Sequence, residues 1–305
     1  MDEKREESHR LRVEADAISA TLPPLLVSAR RIAASVTLGS HGRRRAGVGD
    51  SFWQFRPYSK DDTPQAIDWR QSGKFDSVFV REREWVAAQT AALWCDTSPS
   101  MRYRSSPKLP LKAERAAVMM LTMAELLIDG GERIIRLAAD GKPQRAAAAG
   151  RLAVAHMADA IAGELLSDKR GASAGMPAFS TSLPRHSGVI LFSDFMSPLE
   201  EIAAAVKGLT RGGITGHLVQ VLDPAEETLP FSGRVRFVGL EEEGATVIDR
   251  AEDAREGYIR KLQAHREGLK GLATSTGWTF GLHHTDQSPQ PALAALHNAI
   301  TGHRR

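Results

Sequence analysis

The strongest constraint on this chain is an alternation of two kinds of apolar pattern. After residue 90, the short runs AALWC (91–95), IIRLAA (134–139), GVILF (188–192) and HLVQVL (217–222) are mostly apolar, without a polar residue at every second position. Between them, Lys112–Ile128, a stretch near Leu152–Leu166 and one near Leu199–Leu209 repeat their apolar residues every three or four positions. A strand wet on one face alternates apolar with polar, so a strand apolar on both faces must be covered on both. The pattern predicts an α/β fold: a doubly wound, mainly parallel sheet with helices on each side. A more polar strand pair, RVRFVGL and ATVIDR, follows with EEEG as its turn, then a long helix over Ala251–Ser275, a last strand WTFGLHH and a closing helix over Pro291–Ile300.

Upstream the chain reads differently. Leu11–Leu38 has helical spacing broken at Pro23 and Pro24, because proline removes a backbone donor and clashes inside a helix. Residues 40–50, SHGRRRAGVGD, have no periodicity and read as an exposed loop, and Arg43, Arg44 and Arg45 read as a solvated run more than a docking site. Residues 51–86 mix aromatic and charged side chains and end in a strand-like alternation of Val78 and Val80 with Arg81 and Arg83. The expected organisation is therefore a helical segment over 1–39, a loop and strand insert over 40–86, and the α/β domain over 87–305.

Composition narrows the function classes. Hydrophobic residues make up 42% and charged residues 25%, enough for one large core or two modest ones. A formal charge of +3 is too small to argue for a nucleic-acid surface. The single cysteine, Cys95, lies in an apolar run, which suits a small core residue in a reducing compartment. The N-terminus has no apolar core of the signal-peptide kind, and the longest apolar stretches run to about 6 to 9 residues where roughly 20 are needed to cross a bilayer. A cytoplasmic protein with no membrane insertion is expected.

In open parallel sheets ligands bind beyond the carboxyl ends of the strands. Two such ends carry chemistry: Asp96-Thr97-Ser98-Pro99-Ser100 after the first buried run, and Asp194 after Ser193. A carboxylate and two hydroxyls at alternate positions, joined by a second aspartate, form an oxygen set suited to a hard divalent cation such as Mg²⁺. The same residues also serve as turn formers and helix caps with no metal present.

This D-x-S-x-S segment with a later strand-end aspartate resembles the metal-ion-dependent adhesion site of von Willebrand factor A domains. The upstream residues Arg56-Pro57-Tyr58, Asp61-Asp62, Ile67-Asp68-Trp69-Arg70 and Arg81-Glu82-Arg83-Glu84 narrow the resemblance to the bacterial domain-of-unknown-function family 58, over roughly residues 40–290. The resemblance implies a von Willebrand factor A-like domain, a metal site of Asp96, Ser98, Ser100 and Asp194, and a MoxR-type AAA+ ATPase as partner. One departure stands out. The loop that supplies a threonine in adhesion sites corresponds here to AAAAGRLAV, which has no hydroxyl, and Thr181 and Ser182 lie close to the next strand.

Arg56, Asp68, Trp69 and Arg70 form either a partner-facing surface or a structural clamp, with Arg70 on a carboxylate and Trp69 packed beneath. Enzyme readings have less support: neither a G-x-G-x-x-G nor a P-loop is present. Ser105-Ser106-Pro107-Lys108 matches S-x-x-K in a proline-containing loop, and His283, His284 and Asp286 form a sparse zinc pattern. The expected function is protein binding through the strand-end face. The rival is a metal-dependent hydrolase, which needs His156 or His217 beside Asp96 as a base; a structural domain with a degenerate motif is the third reading.

Overall fold

The computed structural model describes residues 26–36, 52–58, 67, 69–74, 78–83, 90–166, 176–177, 179, 183–184, 186–239 and 244–302. The chain divides into two compact units, one of residues 41–88 and one of the remainder.

In the smaller unit, β1 (Phe52–Pro57) pairs antiparallel with β2 (Phe79–Arg83), with a register shift between Phe52 and Gln54. Tyr58 N donates to Val78 O at 2.8 Å, extending the ladder by one rung. A single helical turn, α2 (Trp69–Ser72), is tied to β2 by Phe79 N donating to Ser72 Oγ at 2.9 Å.

The larger unit is built on five strands in the order β4-β3-β5-β6-β9, all pairs parallel. They are β3 (Thr90–Cys95), β4 (Arg133–Arg136), β5 (Gly188–Ser193), β6 (Thr215–Leu222) and β9 (Thr279–His284). Every residue from Ala91 to Cys95 and from Val189 to Ser193 is buried, as strands covered on both faces require. One face carries α1 (26–36), α3 (Lys112–Asp129), α4 (Arg151–Leu166) and α8 (Gln290–Gly302), whose side chains share a core with Leu93, Ile190 and Phe192. The other carries α5 (Leu199–Arg211) and α7 (Ala251–Thr276), packed on Trp94, Val189, Leu191 and Leu218. The doubly wound α/β architecture expected from the sequence is therefore present. Each fully buried leucine or isoleucine in these two layers contributes about 2 kcal/mol relative to exposure.

Local boundaries follow from hydrogen bonding. The ladder of β4 stops at Arg136, short of the expected Ala139, because Ala138 N turns to Lys142 O at 2.8 Å in a loop closed by Gly141 at φ 79°. The returning chain then lies along β4, with Ile134 and Ala148 exchanging backbone bonds of 2.8 and 2.9 Å. Two short helices were not foreseen: a 3-10 turn at Pro99–Arg102, and α6 (Pro224–Thr228), which starts with proline behind the capping residue Asp223. The ribbon of β7 (Val235–Val238) and β8 (Ala245–Ile248) closes through Gly239 N and Gly244 O at 2.8 Å. Gly216 lets β6 meet a side chain closely: a Cβ there would stand 2.4 Å from the Trp278 ring.

The described part of the N-terminal segment begins just beyond Pro24 and docks on the larger unit. Ala29, Ala33 and Val36 enter the core, Thr122 Oγ1 donates to Ala29 O at 3.4 Å, and Arg30 pairs with Glu125 at 3.0 Å.

Candidate functional site at the strand ends

The chain leaves β3 through α3 to β4 on one side, while β5 lies on the other, so β3 and β5 meet at the topological switch point of the sheet. Cys95 and Phe192 are register partners there, and Asp96 N donates to Phe192 O at 2.9 Å. The next residues on the two strands are Asp96, Ser193 and Asp194, so the parallel register brings together the two motifs that sequence reading singled out.

Both oxygens of Asp96 are engaged. Oδ1 accepts from Ser98 N at 2.9 Å, and Oδ2 accepts from Ser193 Oγ at 2.6 Å. The hydroxyls of Ser98 and Ser100 lie 3.0 Å apart. Burial, reinforced by the charge of Asp194 and opposed by the Ser193 and Ser98 hydrogen bonds, pushes the Asp96 carboxyl up to about 6. Asp194 is 3% exposed. Its Oδ1 accepts from Met196 N at 3.1 Å and its main-chain oxygen from Gln220 Nε2 at 2.8 Å. Between them, Phe195 is held in the left-handed region at φ 51°, a cost of roughly 1 kcal/mol for a non-glycine residue. Ser193 Oγ accepting from Phe195 N and His265 donating to Phe195 O, at 3.0 and 2.7 Å, keep it there. The strain directs Met196 outward, where it is 39% exposed beside the site.

The residue that sequence reading missed is Lys112, the first of α3 and 1% exposed. Its Nζ donates to Asp194 Oδ2 at 2.8 Å and to Glu226 Oε1 at 2.6 Å. Burial disfavours the ammonium, yet Asp194 and Glu226 outweigh it and hold Lys112 up at about 12. Burial conversely raises Glu226, against the pull of Lys112. A signal existed in the sequence: a lysine opening a helix opposes the macrodipole unless carboxylates meet it. Asp223, directly after β6, was also passed over. It is 0% exposed and spends its oxygens on backbone amides, Ala225 N at 2.8 Å and Ser105 N at 2.9 Å, while Glu226 accepts from its own amide at 2.9 Å.

The donor set was tested against a resident Mg²⁺. Asp96, Ser98 and Ser100 share one loop and Asp194 lies beside it, but one Asp194 oxygen is already matched by an ammonium and both Asp96 oxygens by donors. Among the described residues, no three His, Cys, Asp or Glu side chains gather in a metal-ligating arrangement. Thr181 and Ser182 lie outside the described residues. The arrangement does not fit a resident divalent cation, because a metal on Asp194 would sit against a buried ammonium of like sign.

The remaining candidates are dispersed. Trp69 is 69% exposed and Arg70 is exposed; Asp68 and the Arg56 side chain lie outside the described residues. Ser105 and Lys108 are both exposed, and Ser105 meets Asp223 through its amide. A formal G-x-S-x-G at Gly171–Gly175 comes after the helix α4, whereas a nucleophile elbow follows a strand, and it too lies outside the described residues. His283 and His284 alternate across β9: His283 is buried, His284 donates to Glu227 at 3.2 Å, and Asp286 is exposed. His217 pairs in register with Ile190, three residues before Ser193, and bonds Thr279 at 2.6 Å; His156 on α4 bonds Arg145 at 3.3 Å. Neither supplies a base at Asp96. Cys95 is 1% exposed, and burial keeps its thiol protonated well above the ordinary range.

Comparisons with known proteins bear on family. No curated protein matches the chain. Among solved structures, the conserved hypothetical protein BatB from Bacteroides thetaiotaomicron is similar at 16% identity and TM-score 0.43, covering 70% of this chain and 100% of its own. An aerotolerance-related membrane protein from Bacteroides fragilis gives 17% identity and 0.42 with the same coverage. The SpRpn10 VWA domain gives 13% and 0.31, covering 70% of this chain and 95% of that one. In this chain, no helix among the described residues is long and apolar enough to cross a membrane. The family described as "Protein of unknown function DUF58" matches residues 54–268, well over half of the sequence, and the chain belongs to it.

Proposed function

We propose that this protein is a cytoplasmic protein-interaction module of von Willebrand factor A type that docks a partner on the face formed by the loops after β3 and β5. The observation that carries the reading is the strained Asp194-Phe195-Met196 loop, which buries a carboxylate and turns a methionine to solvent at the switch point. Strain retained at a ligand-binding edge of the sheet suits a recognition surface. The sequence resemblance supplies the candidate partner, a MoxR-type AAA+ ATPase, with chaperone-like or assembly work on other complexes as the context. Chemistry then belongs to the partner. The hydrolase reading requires a histidine at Asp96, and the two candidates make their bonds elsewhere.

The test is binding of purified full-length chain to a purified MoxR-type ATPase, with Met196→Glu and Met196→Ala as variants of an exposed side chain. A loss of at least tenfold in affinity in both, with unchanged thermal midpoints, is expected for residues at the centre of an interface. Affinity equal to that of the unaltered protein in both variants would remove this face from the interaction and point to Trp69 and Arg70.

A further inference from the structure

We propose that the ammonium of Lys112 is the resident cation of the strand-end site, so that the loop after β5 is held against α6 in docking geometry without a divalent metal. The inference rests on the reading of this face as a docking site, and it names what stabilises that site. Three separate elements converge on one nitrogen: the first turn of α3 supplies Lys112, the loop after β5 supplies Asp194 at 2.8 Å, and α6 supplies Glu226 at 2.6 Å. The lysine side chain is 1% exposed and that of Asp194 5%, so the pair is shielded from solvent and salt. Asp194 in turn fixes Met196 through its other oxygen. The charge that an adhesion site places on a bound metal is thus covalently attached to the chain. It cannot dissociate, and it stands where it repels a second cation.

The experiment uses the full-length chain, unaltered and as Lys112→Met, unfolded thermally in EDTA and in about 10 mM Mg²⁺, with Mn²⁺ binding followed by electron paramagnetic resonance. A site filled tenfold above its dissociation constant raises the midpoint of a domain of this size by about 3 °C. The unaltered chain is expected to move by less than about 1 °C and to bind no stoichiometric Mn²⁺. Lys112→Met is expected to melt several degrees lower in EDTA and to regain part of the loss in Mg²⁺ but not when Asp96→Asn is added. If Lys112→Met does not fold, Lys112→Met/Asp194→Asn, which removes the cation with one of its anions, is expected to be the more stable of the two. One Mn²⁺ per unaltered chain at a dissociation constant of about 1 mM or tighter would overturn the inference, as would a Lys112→Met protein indifferent to metal. Partner binding in EDTA separates the two readings: no binding and no metal sinks the docking face and leaves Lys112 standing, whereas metal on the unaltered chain sinks the Lys112 inference whatever the partner does.

Discussion

The carboxyl edge of the sheet has two halves built from the same residue types, and they are finished in opposite ways. On the β6–β9 half Asp223 is answered by two backbone amides, and Glu227 by the guanidinium of Arg266 and by His284. The Arg266 hydrogen bonds, with His284, hold Glu227 below the usual carboxylate range. On the β3–β5 half, Asp96 faces another carboxylate under burial and is raised instead. The first half is cap and clamp; the second keeps a charge in tension beneath an exposed methionine. An aspartate after a buried strand is therefore not a site by itself, and the donors that the neighbouring elements bring decide what it does.

The sharpest way to break this contrast is to remove the two aspartates in turn. Asp223→Ala strips the acceptor from two amides and the cap from α6, for an expected loss of about 3 kcal/mol, read as a fall in the denaturant midpoint with unchanged slope. Acidification sharpens the same half. Burial, with Arg115 and His284 adding to it, lowers His283 from 6.5 to about 4, and its Nε2 has no hydrogen-bond partner among the described residues. The folded state therefore keeps His283 neutral while the unfolded chain takes up a proton. The His283 contribution to stability is therefore full above pH 6.5 and is lost as pH drops toward 4, by on the order of 3 kcal/mol, while Asp96, raised to about 6, works in the opposite sense as pH falls through 6. Glu227, lowered in the fold, adds a loss below its ordinary range near 4.5. His283→Leu is expected to raise stability near pH 4 relative to the unaltered chain by more than it does at pH 7, measured by chemical denaturation at each pH. The smallest effect is expected at Asp96→Asn, which removes a buried charge opposed by Asp194 while keeping an acceptor for Ser98 N. A change within about 1 kcal/mol at pH 7 fits that account. Equal losses at Asp223→Ala and Asp96→Asn would erase the distinction between the two halves.

Much of the fold was legible because its signals are local. Runs such as AALWC and GVILF are apolar on both faces only if helices cover both, and the helices over Lys112–Asp129 and Ala251–Thr276 begin where their spacing begins and end within a residue of where it ends. The site was legible in part. Asp96 and Asp194 were found because each follows a buried run, whereas Lys112 was hidden inside a helical pattern that its long side chain satisfies equally well. The choice between a surface and a clamp around Trp69 was not legible, since nothing in Ile67-Asp68-Trp69-Arg70 says which way a single turn of helix faces.

By itself, the sequence determined the α/β class, the succession of elements and the two aspartate-bearing strand ends, because periodicity and the position of a residue after an apolar run are properties of adjacent residues. Only the tertiary structure decided that β5 lies beside β3, that Ser193 rather than a third-loop threonine answers Asp96, and that a lysine distant in sequence from Asp194 and Glu226 delivers its ammonium between them. Electrostatic pairing acts over a few ångströms of space and is indifferent to separation along the chain.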